Sequence, residues 1–247
     1  MIIDTHCHIL PWVDDGPAEI DESVEMAKIA AADGITHIVA TPHVNRFYSH
    51  NRADAAQRFA AALYRLEYRL KVEGVPIKVM AGAEIADTCA RTMELSELGL
   101  NKTNYLLVEF PHTHLPADAG DLLFNLVVKG YKPIIAHPER NPSVIENPNR
   151  LFELRKAGAL VQVTASSLTN KHNSDVHRCA MYLLKKGAVE IIASDAHNTN
   201  GRRPVLSEAI KVISKVVGKK QARRMVVENP IDILVGDGIK TSKEKMK

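Results

Sequence analysis

The sequence predicts an α/β fold in a single domain, a distorted seven-stranded (β/α)7 barrel of the TIM type. Seven apolar, β-branched segments alternate with helical patterns, and the 247 residues, 45% of them hydrophobic, are enough for one large core. Mostly apolar strands that alternate with helices are typical of a parallel sheet covered by helices. The predicted strands are Met1–Cys7, Ile35–Thr41, Ile77–Glu84, Tyr105–Phe110, Lys132–His137, Leu160–Thr164 and Glu190–Ser194.

The segments between the strands have helical periodicity and end at glycine. Helices are predicted over Asp21–Asp33 and Asn51–Glu73, and shorter apolar stripes before Gly130 and Gly187 repeat the arrangement. Glycine is the usual residue after the last helical turn. An open doubly wound sheet is the alternative fold, but no GxGxxG motif follows the first strand, so a dinucleotide site is not supported.

The charge is concentrated at the end of the chain. Of the formal net charge of +3, all is accounted for by residues 240–247, which contain four lysines and one glutamate. We therefore predict a near-neutral domain over residues 1–239 and a flexible basic tail over residues 240–247. Because binding to a phosphate backbone needs a broad basic face, we do not expect nucleic acid as a partner.

Cysteine usage and the amino terminus indicate the compartment. The three cysteines are far apart and form no CxxC motif, so neither a disulfide framework nor a thiolate zinc site is suggested. The first residues lack the basic and apolar regions of a signal peptide, and no apolar run reaches the roughly 18 residues that cross a bilayer. We predict a cytoplasmic protein without membrane insertion, and nothing in the sequence indicates its oligomeric state.

Histidines and carboxylates follow the predicted strands at their carboxyl ends. Residues i and i+2 of an extended strand point to the same side, so the HxH pair at the end of the first strand can offer two imidazoles to one ion. Six of the seven strands end in this way, and the carboxyl ends of barrel strands converge on one mouth. The candidate ligands at these ends are His6, His8, His43, Glu84, Glu109, His137, Asp195 and His197.

The ligand chemistry indicates the type of metal. Imidazole mixed with carboxylate, without thiolate, suits Mn²⁺, Fe²⁺ or Zn²⁺ better than Ca²⁺. These ligands exceed the need of one ion, so we predict two or three metals bridged by a carboxylate such as Glu84. In the Asp14-Asp15-Gly16 segment, Asp15 is a further candidate ligand, although Asp and Gly also favour a plain turn.

The remaining histidines and the arginines beside the ligands have different expected roles. His37 is expected to pack within its strand, and the expected surface residues are His50, His172 and His177. His112 and His114 are ambiguous, with a plain loop favoured over substrate contact. Because guanidinium offers a planar fork of donors to phosphate oxygens, Arg140 and Arg202 are predicted to bind phosphate. Arg203 is expected to be a surface residue.

These residues together resemble the PHP superfamily, named for polymerase and histidinol phosphatase, and within it the CpsB/YwqE type of bacterial tyrosine-protein phosphatase. The resemblance covers residues 1–203, and Glu228-Asn229-Pro230 also looks like the family. Each motif alone is weak, but their combination is specific. The motifs are Asp4-Thr5-His6-Cys7-His8, Val13-Asp14-Asp15-Gly16, Thr41-Pro42-His43, Gly82-Ala83-Glu84-Ile85, Glu109-Phe110, Ile135-Ala136-His137-Pro138-Glu139-Arg140, Ala193-Ser194-Asp195-Ala196-His197-Asn198 and Gly201-Arg202.

The resemblance implies a distorted barrel with a trinuclear metal centre that often uses Mn²⁺. It also implies hydrolysis of phosphotyrosine on a bacterial tyrosine kinase that controls capsule or exopolysaccharide synthesis. For the mechanism, we expect Arg140 and Arg202 to hold the phosphoryl oxygens, and Asp195 or His197, which are ligands first, to supply a proton where one is needed. The metal ligands that it implies are His6, His8, Asp15, His43, Glu84, Glu109, His137, Asp195 and His197, and none is missing.

Two other functions stay open from the sequence. Histidinol-phosphate phosphatase shares the superfamily site and its phosphomonoester chemistry, although Asp14-Asp15-Gly16 and Gly82-Ala83-Glu84-Ile85 look more like the tyrosine phosphatase branch. A metal-stabilised module that binds phosphorylated tails without hydrolysing them is the alternative from another class, because a fold does not fix a function.

Overall fold

Nine parallel strands form the centre of the described structure, which is a computed structural model that describes residues 1–46, 55–169 and 174–239. The predicted basic tail, His50 and His172 lie outside these residues. The strands are β1 Ile3–Cys7, β2 His37–Ala40, β3 His43–Val44, β4 Lys78–Ala81, β5 Glu84–Ala86, β6 Tyr105–Glu109, β7 Lys132–Ile135, β8 Leu160–Thr164 and β9 Ile191–Ala193. Each of the seven predicted segments contains a strand, but β3 lies just beyond the second segment and β5 extends past the end of the third.

After two of the predicted strands, the second and the third, the chain bends and continues into a further short strand. Thr41 and Pro42 separate β2 from β3, and Gly82 and Ala83 separate β4 from β5. As a result β1, β2 and β4 form one sheet, whereas β3, β5, β6, β7, β8 and β9 form a second one. The two sheets are continuous through the bends, and each bend turns the residue that begins the following segment toward the barrel mouth.

The ring closes between the first and the last strand. Cys7 forms a parallel bridge with Ala196, the amide of Asp195 donates to the carbonyl of His6 at 2.8 Å, and the amide of His8 donates to the carbonyl of Ala196 at 2.8 Å. This closure confirms the distorted seven-stranded barrel and excludes the open doubly wound sheet. It also brings the two polar segments of the first and last strands side by side.

Helices surround the barrel, and they agree with the predicted periodicity. The chain leaves the first two at Gly34 and Gly74, which have φ angles of 91° and 67° that a side chain rarely adopts. The helices are α1 Ile20–Ala32, α2 Ala55–Val72, α3 Asp87–Thr92, α4 Ala119–Val128, α5 Pro142–Glu146, α6 Asn149–Lys156, α7 Ala165–Leu168, α8 Ser174–Lys185, α9 Ser207–Val217, α10 Lys219–Arg223 and α11 Asn229–Val235. Among the described residues, no helix is both long and apolar enough to cross a membrane.

The barrel interior is apolar at one end and polar at the other. Side chains that include Val39, Leu107 and Ile134 fill the lower interior, and Ile233 of α11 packs with them. The chain after α11 bonds to the amino ends of strands, since the Tyr105 hydroxyl donates to the carbonyl of Asp237 at 2.5 Å. Burial of each such side chain contributes roughly 1.5–3 kcal/mol. Helix α11 therefore closes the amino-terminal end and leaves the carboxyl-terminal end for polar groups.

The bend at Gly82 has no room for a side chain. A Cβ there would lie 2.7 Å from Val39 Cγ1, 2.9 Å from Leu100 Cδ2 and 3.2 Å from the carbonyl oxygen of Ala40. We expect Gly82→Ala to lower the free energy of unfolding by about 1–3 kcal/mol, because buried neighbours must move. Urea denaturation measures the change. Gly238→Ala, where nothing lies within 4 Å, is the control, and equal stability of both variants would contradict this account of the bend.

Candidate metal centre

The carboxyl-terminal end of the barrel gathers all nine predicted metal ligands. Candidate ligand atoms form four groups, and within each group these atoms lie within 4.8 Å of one another. Several residues belong to two groups, so the groups form one continuous cluster. The groups are His8, Asp15, His43 and His197; His6, His8 and Asp195; His6, Glu84 and His137; and His43, Glu84 and Glu109.

Glu84 lies at the centre of this cluster. Its Oε2 atom is 3.3 Å from His6 Nε2, 3.2 Å from His8 Nε2 and 3.1 Å from His43 Nδ1. Its other oxygen, Oε1, is 2.8 Å from His137 Nε2. The side chain is only 1% exposed. One buried carboxylate thus faces four imidazoles that come from three strand segments, β1 with the residue after it, β3 and the end of β7.

The donor atoms of this cluster fit divalent cations. Glu84 Oε2 and His197 Nε2 are buried and have no hydrogen-bond partner, although buried polar atoms normally have one. Burial raises the pKa of Glu84, but His6, His43 and His137 together hold it well below its usual range. The carboxylate is therefore ionised at neutral pH. A cation between these atoms would satisfy their lone pairs with the oxygen and imidazole ligands that Mn²⁺, Fe²⁺ and Zn²⁺ accept.

Two polar residues behind the histidines orient their rings. Gln162 Oε1 lies 2.9 Å from His6 Nδ1, and Asp14 Oδ2 lies 2.7 Å from His8 Nδ1. Each contact favours a proton on Nδ1 and leaves Nε2 toward the cluster, as in metal sites where an outer carboxylate or carbonyl fixes the imidazole. Burial lowers the pKa of His8, but the neighbouring carboxylates of Asp14 and Glu84 raise it well above its usual value. Metal binding at His8 would therefore release a proton.

The loop after β1 carries Asp15, a predicted ligand, and Asp14, to which the sequence alone assigns no role of its own. Asp15 Oδ1 lies 3.6 Å from His43 Nε2 and 3.4 Å from His197 Nε2. Asp14 also accepts the backbone N–H of His43 at 2.9 Å and that of Gly16 at 3.0 Å. A Cβ at Gly16 would lie 2.3 Å from the carbonyl oxygen of His8. The Asp-Asp-Gly turn is therefore both a turn and a part of the site.

Asp4 fixes the seam at which the first and last strands meet. Its carboxylate accepts the backbone N–H of Ser194 at 2.9 Å and the Ser194 hydroxyl at 2.5 Å. Asp4 is fully buried, and burial raises its pKa to about 6. Next to this contact, Asp195 has a φ angle of 52°, in the left-handed region. Such strained backbone persists where neighbouring contacts hold it and is common at functional sites.

Both predicted phosphate-binding arginines reach the cluster. Arg140 NH1 and Arg202 NH2 each donate to Asp195 Oδ2, the latter at 2.8 Å. Burial raises the pKa of Asp195, but His6, Arg140, His137 and Arg202 lower it well below its usual range. A cavity of about 70 Å³ opens beside them. Its lining includes Arg203, which is exposed, as the sequence predicts.

The other histidines differ in their relation to the site. His112 Nε2 lies 3.2 Å from Glu109 Oε1, and its ring stacks on that of His137 at 6.0 Å, so His112 borders the cluster. His114 is exposed and contacts the hydroxyl of Thr113. His37 is half-buried at the start of β2. His177 is also half-buried, and its Nδ1 contacts the carbonyl of Ser167 at 2.9 Å, away from the cluster.

A closed barrel with a cluster of histidines and carboxylates at its carboxyl-terminal mouth has the architecture of metal-dependent hydrolases. The family model described as "Capsular polysaccharide synthesis, CpsB/CapC" matches residues 2–235. This chain therefore belongs to the CpsB/CapC family, as its motifs suggested.

Individual relatives agree with this assignment. The tyrosine-protein phosphatase YwqE of Bacillus subtilis is 38% identical over 231 residues, which are 92% of this chain and 89% of that protein. The putative tyrosine-protein phosphatase CapC of Staphylococcus aureus is 36% identical over 84% of this chain and 81% of its own length. A crystal structure from work on YwqE and the Streptococcus pneumoniae CpsB, described as unique metal-dependent tyrosine phosphatases, has a TM-score of 0.86 at 38% identity, covering 97% of this chain and 96% of that one.

Asp14 provides a test of the metal site that leaves every predicted ligand in place. We expect Asp14→Asn to weaken Mn²⁺ or Zn²⁺ binding by about 10- to 100-fold, because the charge that orients His8 is lost. Competition with a metal chelator measures the affinity. Asp21→Asn, at a carboxylate 79% exposed that pairs with Arg69, is the control. An affinity equal to that of the control would show that His8 does not depend on Asp14.

Proposed function

We propose that this chain is a metal-dependent tyrosine-protein phosphatase that hydrolyses phosphotyrosine. The observation that carries the proposal is the cluster itself, in which nine side chains suited to divalent cations lie directly beside two arginines suited to phosphate. The names of the relatives identify phosphotyrosine as the substrate class. We assign the metal ligands as His6, His8, Asp15, His43, Glu84, Glu109, His137, Asp195 and His197.

Two or three divalent cations are the proposed cofactor, with Mn²⁺ as the first choice. When bound, such ions make a nucleophile available at neutral pH by lowering the pKa of water, and they neutralise charge on the phosphoryl oxygens. The chain's own residues keep the ligands in the ionisation state, orientation and position that metal binding requires. Glu84 is ionised, Gln162 and Asp14 orient His6 and His8, and the apolar interior below the site keeps the cluster at the mouth.

The arginines and Asp195 have a shared role in holding the phosphoryl group. Arg140 and Arg202 converge on one oxygen of Asp195, so their remaining N–H groups are available to phosphate oxygens beside it. The neighbouring arginines and histidines lower the pKa of Asp195 and keep it ionised. We therefore assign Asp195 as a metal ligand that also anchors the arginines, rather than as a proton donor. The tyrosyl leaving group has a pKa of about 10, so its departure makes little demand on a general acid.

The biological setting extends the proposal. The family description names capsular polysaccharide synthesis, which supports a tyrosine-phosphorylated protein of that pathway as the substrate. We propose a bacterial tyrosine kinase as this partner and the cytoplasm as the location. The three cysteines support the cytoplasmic location, since all are buried and none forms a disulfide, as expected in a reducing compartment.

Phosphate release from a panel of substrates tests the function. The protein loaded with Mn²⁺ is expected to hydrolyse a phosphotyrosine peptide faster than a phosphoserine peptide or histidinol phosphate, and to lose this activity after removal of the metal. Preference for histidinol phosphate would place the protein in the biosynthetic branch. Phosphopeptide binding without turnover, despite bound metal, would identify a binding module.

A matched pair of variants ties the activity to the cluster. Glu84→Gln removes the charge at its centre, so we expect turnover to fall by at least about 100-fold together with a loss of metal. Glu25→Gln changes an exposed glutamate that pairs with Lys28 on α1, and it should keep both turnover and metal content. Full activity of Glu84→Gln would contradict the proposed site.

A further inference from the structure

The chain's only tryptophan lies on the loop that carries Asp15. Trp12 follows His8 by four residues and precedes Asp15 by three, so its Cα lies at most about 11 Å from that of Asp15. Other large exposed aromatics in the described part of the chain, Tyr64, Phe124 and Tyr182 among them, lie on the outer helices. Trp12 therefore belongs to the rim of the barrel mouth, whereas these side chains do not.

The backbone around Trp12 is fixed, while its side chain is not covered. Leu10 and Val13 are buried on either side, and the Trp12 amide donates to the carbonyl of Pro17 at 3.1 Å. Trp12 itself is 46% exposed, and its φ angle of 64° lies in the left-handed region that bulky residues rarely adopt. The fold thus holds an indole in contact with solvent through a backbone conformation that a small residue would adopt more readily.

The loop that carries Trp12 and Asp15 is also held against the site by contacts of Asp14 and Gly16, the two neighbours of Asp15. Asp14 contacts His8 and His43, and Gly16 packs on the carbonyl of His8 so closely that no Cβ fits there. As a result Trp12 cannot move far relative to the cluster. An aromatic ring held on rigid backbone loses little conformational freedom on binding, which is why such rings are effective in recognition.

We infer that Trp12 packs against the peptide segment that flanks the phosphotyrosine of the substrate. The inference rests on the proposed function and specifies which part of the substrate is recognised outside the cluster. With the phosphoryl group held by the arginines and cations, the polypeptide that bears it leaves the mouth across the rim. Within the described ranges, Trp12 is the large exposed apolar side chain beside the cluster, and a tryptophan ring buries 150–250 Å².

Comparison of two substrates tests this role. A phosphotyrosine peptide engages the rim, whereas p-nitrophenyl phosphate has no peptide to place there. For Trp12→Ala, we expect the ratio of kcat/KM for the peptide to kcat/KM for p-nitrophenyl phosphate to fall about three- to tenfold, mainly through KM. Trp12→Phe, which keeps an aromatic ring, should restore part of the ratio. Phe124→Ala, at an exposed aromatic of α4, is the control.

A ratio unchanged in Trp12→Ala, with the wild-type protein active on the peptide, would overturn the inference and leave the proposed function intact. Equal loss on both substrates together with loss of metal would also overturn it, because Trp12 would then only support the loop of Asp15.

The fluorescence of the single tryptophan gives a test that does not depend on turnover. A phosphonate analogue of the phosphotyrosine peptide, which cannot be hydrolysed, should shift or quench the emission of Trp12 on binding to the metal-loaded protein. Failure of the wild-type protein to hydrolyse phosphotyrosine would refute the proposed function, whereas binding of the analogue without any change in emission would refute the role of Trp12.

Discussion

The buried carboxylate of Glu84 is the constraint on which the rest of the structure depends. An ionised group with 1% exposure is costly unless it is matched by positive charge and hydrogen bonds, and four imidazoles surround this one at 2.8–3.3 Å. Even so, one of its oxygens lacks a hydrogen bond. Divalent cations between the carboxylate and the imidazoles would coordinate this oxygen and balance its charge. The site is thus built for ions, and the barrel serves to bring its ligands together.

The barrel is distorted in ways that serve this purpose. The bends at Pro42 and Gly82 end one sheet and start another, so His43 and Glu84 begin new strand segments directly opposite each other in the β3–β5 pair. At the seam, Asp4 and Ser194 join the first and last strands beneath His6 and Asp195. The strained backbone of Asp195 is held by these contacts. The two bends and the strained backbone interrupt a regular barrel, and they lie where they direct candidate ligands toward the cluster.

Much of the fold and the ligand cluster was predictable because the signals are local. Apolar runs predicted the strands, and residue type at the strand ends predicted eight of the nine candidate ligands, with Asp15 coming from the loop after β1. The supporting residues were not predictable in the same way. Asp4 acts on Ser194, 190 positions away, and Gln162 lies within a strand and reaches His6 only when the barrel closes. Arg203 is exposed, as the sequence predicts, but only the fold shows that it lines one cavity with Arg140 and Arg202.

The measurement that tests the central claim most directly is anomalous diffraction at the manganese absorption edge from crystals of the Mn²⁺-loaded protein. It locates ions without reference to activity. Our account predicts two or three anomalous peaks at the barrel mouth, with Glu84 within coordination distance of at least two of them and imidazoles completing the ligands. Peaks confined to the protein surface, or a mouth without any peak at saturating Mn²⁺, would contradict it.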